Sequence, residues 1–127
     1  MEAKRAVNDV LRDRYPNNYP YHYFRPPWGL PWTRGGDRKT RAMLRRYMTA
    51  NHIRIVLWQI DSGDWAWPGP EPIVETVCRA IHNGDGGLVL FHDSHDAIIP
   101  ALDKIIPHAL DAGFEILPLR EIEKHAR

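Results

Sequence analysis

A single cysteine, Cys78, among 127 residues excludes an internal disulfide framework and a cysteine-rich metal site. No apolar run approaches the roughly 18 residues needed to span a bilayer, so no membrane partner is expected. Charge of one sign is lacking as well. The 17 Lys and Arg against 16 Asp and Glu leave a net charge of +1, and no bulk field argues for nucleic acid or an anionic membrane surface. The sequence has no internal repeat and no low-complexity tract. Its start, Met1-Glu2-Ala3-Lys4-Arg5, leads into a polar amphipathic stretch without the apolar centre of a signal peptide, so the chain taken literally is expected in the cytoplasm. An apolar content of 43% and a charged content of 26% are ordinary for a single domain that buries one core.

The hydrophobic pattern predicts alternating helices and strands. Residues 2–14 read as a short helix with Ala6, Val7, Val10 and Leu11 on one face. A Pro-, Asn- and Tyr-rich loop from Tyr15 leads to a short strand near Tyr23–Arg25. After the loop Gly29 to Asp37, residues 38–51 read as a helix, with Ala42, Met43, Tyr47 and Met48 inward and Arg38, Arg41, Arg45 and Arg46 largely outward. Ile53 to Ile60 is a nearly continuous apolar, β-branched run, the pattern of a strand covered on both faces in a parallel sheet. Pro70 and Pro72 suit the first turn of a helix, whose stripe Ile73, Val74, Val77, Cys78 and Ile81 ends at Asn83-Gly84. Cys78 lies on that stripe and is read as a small buried hydrophobe.

Gly87 to His92 is a second buried strand. A helix within 97–112 follows, apolar at Ile98, Leu102, Ile105, Ile106 and Leu110, with a kink or break expected at Pro107. Phe114 to Leu119 reads as a last strand and residues 120–126 as a terminal helix. This alternation predicts an α/β fold with a parallel sheet and helical crossovers. About four βα units are present where a closed eight-stranded barrel takes about 250 residues, so the chain reads as a partial (β/α) barrel.

Three short motifs fall where strands end: Phe24-Arg25-Pro26-Pro27-Trp28-Gly29, Asp61-Ser62-Gly63-Asp64-Trp65 and Leu88-Val89-Leu90-Phe91-His92-Asp93. In βα folds the loops at the C-terminal strand ends converge on the active site, so all three would bring polar groups to one rim. A histidine there, titrating near neutrality, is suited to donating a proton to a leaving amine. A carboxylate such as Asp64 beside an imidazole orients the ring and stabilises its charged form. Asp61 is expected to hold its loop through hydrogen bonds to backbone amides.

Together, in this order, the motifs resemble the last three of the five signature motifs of the polysaccharide deacetylases, the NodB-homology or carbohydrate esterase 4 family. The resemblance covers nearly the whole chain, including the closing segment Gly113–Leu119. It implies one domain over residues 1–127, the C-terminal half of a deacetylase catalytic domain of deformed TIM-like barrel type. It assigns His92 as general acid and Asp64 as its partner. On the same resemblance Trp65 and Leu90 would form the apolar wall for the acetyl methyl, and Pro27 and Trp28 would contact substrate. The arginine of the Arg-Pro-Pro motif, here Arg25, would orient a catalytic aspartate of the first motif. That aspartate has no counterpart in this sequence: there is no Thr-Phe-Asp-Asp-Gly-like segment and no His-x-x-x-His pair. A divalent metal, zinc or cobalt, is expected for the complete family fold, its ligands absent from this chain. The implied substrate is an N- or O-acetylated glycan, and family members are often extracytoplasmic.

The base and the metal supply the larger share of catalytic power, since a bound metal takes the pKa of water from about 15.7 to about 7. A general acid contributes roughly 10²–10⁴ in rate. The isolated chain is therefore expected to be inactive. The other reading is a non-catalytic glycan-binding or assembly module derived from the same fold. Local metal binding by His92, His95, Asp93 and Asp96 is weighed against a polar loop, and the loop is favoured. The arginines from Arg34 to Arg46 alternate with apolar residues and read as a solvated helix face rather than a nucleic-acid surface. Trp28, Trp32 and Trp67 lie in rim loops, where exposed rings can stack on sugars; packing is an equal reading for the tyrosines 15, 19, 21 and 23. A half barrel leaves unpaired strand edges, so self-association, pairing with a missing N-terminal half, or cover by the N-terminal segment is expected.

Overall fold

The computed structural model describes Arg5, residues 9–12, Arg14 and residues 23–125, the last three in backbone only. The predicted N-terminal helix falls mostly outside the described residues. Of its apolar face, Ala6 and Val7 lie outside them, and Val10 is 82% exposed. The chain divides into two compact units, Met1–Leu57 and Trp58–Arg127.

In the first unit, β1 (Tyr23–Phe24) pairs in parallel with β2 (Arg54–Ile55), Tyr23 opposite Arg54 and Phe24 opposite Ile55. The helix between them, α1 (Arg38–Ala50), starts at Asp37, whose side chain accepts from the Thr40 amide at 2.7 Å and from the Thr40 hydroxyl at 2.8 Å. That N-cap satisfies a donor that the first turn leaves without a helical partner. The facing predicted for this helix needs correction. Met48 is buried, but Met43 and Tyr47 are 61% and 59% exposed and Ala42 is exposed. The packed stripe is Leu44 with Met48, one residue round from Met43 with Tyr47. Each pair is spaced i, i+4, and periodicity alone does not choose between them.

In the second unit, β3 (Ile60–Asp61) pairs in parallel with β4 (Val89–Leu90), Ile60 opposite Val89 and Asp61 opposite Leu90. The predicted single strand over 53–60 is therefore two short strands. Its first end pairs β1, with the Val56 amide donating to the Phe24 carbonyl at 2.9 Å. Its last end pairs β4, with the Gln59 and Ile60 amides donating to the Leu88 carbonyl at 3.0 and 3.1 Å. The Gln59 side-chain oxygen accepts from the Leu88 amide at 2.7 Å. Gly87 permits that approach: its φ is 115°, and a Cβ there would meet the Gln59 oxygen at 2.7 Å.

Between β3 and β4 runs α2 (Pro70–His82), opened by Pro70 and closed at Asn83-Gly84. Its Ile73, Val77 and Ile81 pack with Ile98, Ala101, Ile105 and Ala109 of α3 (Ile98–Asp111) and with Ile60 of β3. Cys78 is half-buried against this core, and burial raises its thiol pKa. The helix α3 continues through Pro107, where a kink or break was predicted. Pro107 lies on the exposed side, where the carbonyl that its ring displaces can turn to water. Proline is about 3 kcal/mol less favourable than alanine inside a helix. Pro107→Ala is therefore expected to stabilise this unit by about 2 kcal/mol, read as a raised Tm in a thermal melt.

Gly113 ends α3, and the Phe114 amide donates back to the Ala109 carbonyl at 3.0 Å. The predicted strand over 114–119 does not form: no ladder includes it among the described residues, and Ile116 is 54% exposed. A last helix, α4 (Leu119–His125), follows. The described architecture is thus α/β with parallel pairs and helical crossovers. No closed barrel is present among the described residues. No described helix is long and apolar enough to cross a membrane.

Candidate functional site

Because β3 and β4 are parallel and in register, the segments that leave their C-terminal ends emerge side by side. After β3 the chain turns through Gly63, whose φ of 75° favours glycine, into a short 3-10 turn, Asp64–Ala66. After β4 it passes Phe91 to His92. The result brings together residues 28 positions apart in sequence. Asp64 Oδ1 lies 2.9 Å from His92 Nδ1, and Asp64 Oδ2 accepts from the His92 backbone amide at 2.5 Å.

Asp64 is fully buried and His92 is 33% exposed. Burial of the Asp64 carboxyl would raise its pKa. The hydrogen bonds from the His92 ring, the His92 amide and Ser62, with the charge interaction at His92, outweigh burial and hold the pKa below the ordinary carboxylate range. The group is therefore an ionised acceptor near neutrality, and the hydrogen between it and His92 belongs to Nδ1. That fixes the tautomer and leaves Nε2 as the ring nitrogen available for proton exchange. Ser62, 1% exposed, completes the cradle, its Oγ accepting from the Asp64 amide at 3.4 Å.

Asp61 holds the same loop. Its Oδ1 accepts from the Gly63 amide at 3.1 Å and from Trp65 Nε1 at 3.2 Å, and its Oδ2 accepts from Trp58 Nε1 at 3.2 Å. The backbone bond was expected from the sequence; the two indoles were not. Trp65 is 63% exposed and Leu90 is 8% exposed. Arg25, Pro27 and Trp28 belong to the first unit, immediately after β1. Arg25 and Pro27 are exposed, and Trp28 is 81% exposed within the 3-10 turn Pro27–Gly29.

Sequence reasoning missed one pairing. Trp67 stacks on His95, with ring centroids 4.8 Å apart and planes 26° from parallel. The available signal was positional: Trp67 follows Asp64 by three residues, and His95 follows His92 by three. His95 Nδ1 accepts from the Ala97 amide at 3.1 Å, so neither His92 nor His95 has a free Nδ1. No group of three or more His, Cys, Asp or Glu side chains among the described residues is placed to hold a metal ion. The described donor set does not fit a divalent metal.

No family model matches the chain. Individual proteins do. Over 136 residues it is 32% identical to a chitooligosaccharide deacetylase of Bradyrhizobium sp. (strain ANU 289), covering 96% of this chain and 55% of that protein. It is 27% identical to the peptidoglycan-N-acetylmuramic acid deacetylase PdaC of Bacillus subtilis (strain 168), over 97% of this chain and 24% of that one. Among solved structures, it superposes on a family 4 carbohydrate esterase from Streptomyces lividans, in complex with acetate, with a TM-score of 0.56 and 28% identity. That match covers 72% of this chain and 42% of the esterase. The chain thus spans about half the length of the first relative and a quarter of the second.

Proposed function

We propose that the chain belongs to the polysaccharide deacetylase family (NodB homology, carbohydrate esterase 4) and carries the acid half of a deacetylase site acting on N-acetylated or O-acetylated glycans. The observation that supports this most strongly is the contact of buried Asp64 with His92, 28 residues away, at the shared end of two parallel strands.

In the proposed reaction water adds to the acetyl carbonyl and the carbon–nitrogen bond breaks. In its doubly protonated form His92 gives the Nε2 hydrogen to the departing nitrogen, or to the alkoxide of an ester, while an aspartate base takes a proton from the attacking water, leaving acetate and a free amine or hydroxyl. Asp64 keeps Nδ1–H in place throughout, so the ring neither turns nor loses its tautomer. Trp65 and Leu90 receive the acetyl methyl, Pro27 and Trp28 contact the sugar, and Arg25 orients the aspartate base. That base and the ligands for zinc or cobalt are assigned outside this sequence, and none of the steps above runs through the metal. On the same reading, residues 1–127 are one domain, the later part of a deformed TIM-like barrel with about four βα units.

The test is acetate release from N-acetylated chitooligosaccharides with zinc or cobalt added. The chain alone is expected to release no more than its His92→Ala variant. Fused behind the leading half of the Bradyrhizobium relative, it is expected to release acetate, and His92→Ala should slow that by roughly 10²–10⁴. An active fusion indifferent to His92→Ala would remove His92 from the reaction. Glycan binding by the chain with an inactive fusion would favour the non-catalytic module.

A further inference from the structure

We propose that Trp67, backed by His95, is a stacking platform for a pyranose ring flanking the sugar that is deacetylated, and so sets a preference for oligomeric over monomeric substrate. The inference rests on the deacetylase reading above and adds a subsite to it.

Trp67 is 70% exposed, although a large indole gains most by burial. It holds a left-handed backbone conformation, φ 56° and ψ 41°, which a bulky residue rarely adopts. Its amide closes the 3-10 turn by donating to the Asp64 carbonyl at 2.9 Å. The platform is therefore one hydrogen bond from the backbone of the residue that orients His92. One face of the indole lies against the His95 imidazole, and the exposure of the residue leaves indole surface open for a ligand.

The backing residue is informative too. His95 Nδ1 accepts from the Ala97 amide, so the neutral ring carries its hydrogen on Nε2. That Nε2 is buried and has no hydrogen-bond partner among the described residues. An aliphatic side chain would fill the space without stranding a donor. A flat ring against a flat ring, however, fixes the plane of the indole. Three residues reach at most about 11 Å, which confines the Trp67–His95 pair to the neighbourhood of Asp64 and His92. The ligand implied is the apolar C–H face of a β-linked pyranose chain, the part of a sugar that an aromatic face can cover. Chitin-type and peptidoglycan-type strands both present it.

The experiment is calorimetric titration of the purified chain with N-acetylglucosamine, chitotetraose and a peptidoglycan tetrasaccharide. The wild type is expected to bind a tetrasaccharide more tightly than the monomer. Trp67→Gly should weaken the tetrasaccharide about 3- to 10-fold and leave the monomer unchanged. Glycine suits the left-handed backbone, so this variant is expected to melt no lower than wild type, and its loss of affinity is not a loss of fold. His95→Phe, which keeps a flat ring, should retain the preference for length, and His95→Ala should reduce it. A gain with only one of the two tetrasaccharides supports the platform and identifies the polymer. A folded Trp67→Gly that binds the tetrasaccharide as wild type does overturns the platform and leaves His92 and Asp64 in their proposed roles. Binding of none of the three sugars by the wild type overturns the platform, while the His92-dependent acetate release decides the deacetylase reading separately.

Discussion

Alanine at Asp64 is expected to destabilise the second unit by about 2–4 kcal/mol. The carboxylate is fully buried and accepts from both the His92 amide and the His92 ring. Truncation strands a partly buried amide and removes a hydrogen bond to a charged acceptor, each worth about 1–3 kcal/mol. Denaturant titration with tryptophan fluorescence reads the loss as a lower midpoint at unchanged slope. The pH dependence carries the sign of the shift. The pKa of Asp64 is lower in the fold than in the unfolded chain, so its contribution is fully present above the unfolded value of about 3.9. It is lost as the pH falls through the lower native value. Wild type should therefore lose stability below about pH 4, and Asp64→Asn should lack that component. The gap between the two proteins should narrow on acidification; a constant gap down to acid would show that Asp64 is not ionised in the fold.

Ile73→Ala should cost a comparable amount, about 2–5 kcal/mol. Ile73 is 0% exposed, in the layer where α2 meets α3, with Val77, Ala101 and Ile105 around it. Removing its outer methyls leaves a cavity that the helices can close only in part. Ile99, 68% exposed on α3, is the control: Ile99→Ala should change stability by no more than about 0.5 kcal/mol. Equal effects from the two substitutions would mean that the faces of α3 are assigned the wrong way round.

Parts of this molecule were legible because the local chemistry is unambiguous. Pro70 and Pro72 at one end and Asn83-Gly84 at the other bound α2 closely, and its Ile73–Val77–Ile81 stripe faces the core as expected. The loop role of Asp61 followed from the ability of aspartate to bond amides two residues on, and the Gly63 amide is where it bonds. The Asp64–His92 contact was anticipated through motifs, since spacing alone does not relate residues so far apart.

Other parts were not legible, for identifiable reasons. The run Ile53–Ile60 is apolar apart from Arg54 and Gln59, and neither of these marks where pairing passes from β1 to β4. Phe114–Leu119 has strand-like composition, but a strand is made by a neighbour, and no ladder forms there among the described residues. The face of α1 was misjudged because Met43 and Tyr47 mimic the packed stripe Leu44 and Met48. The Trp67–His95 stack depends on a left-handed residue that composition does not announce.

A buried carboxylate, Asp64, fixes His92 so that one ring nitrogen is held and the other is free to exchange a proton. Long-range proton–nitrogen NMR on the His92 ring tests it directly in the chain as it is. The expected result is hydrogen at Nδ1 and a bare Nε2 in the neutral ring, with this preference lost in Asp64→Asn. A neutral His92 protonated at Nε2, or a ring unaffected by Asp64→Asn, would contradict it.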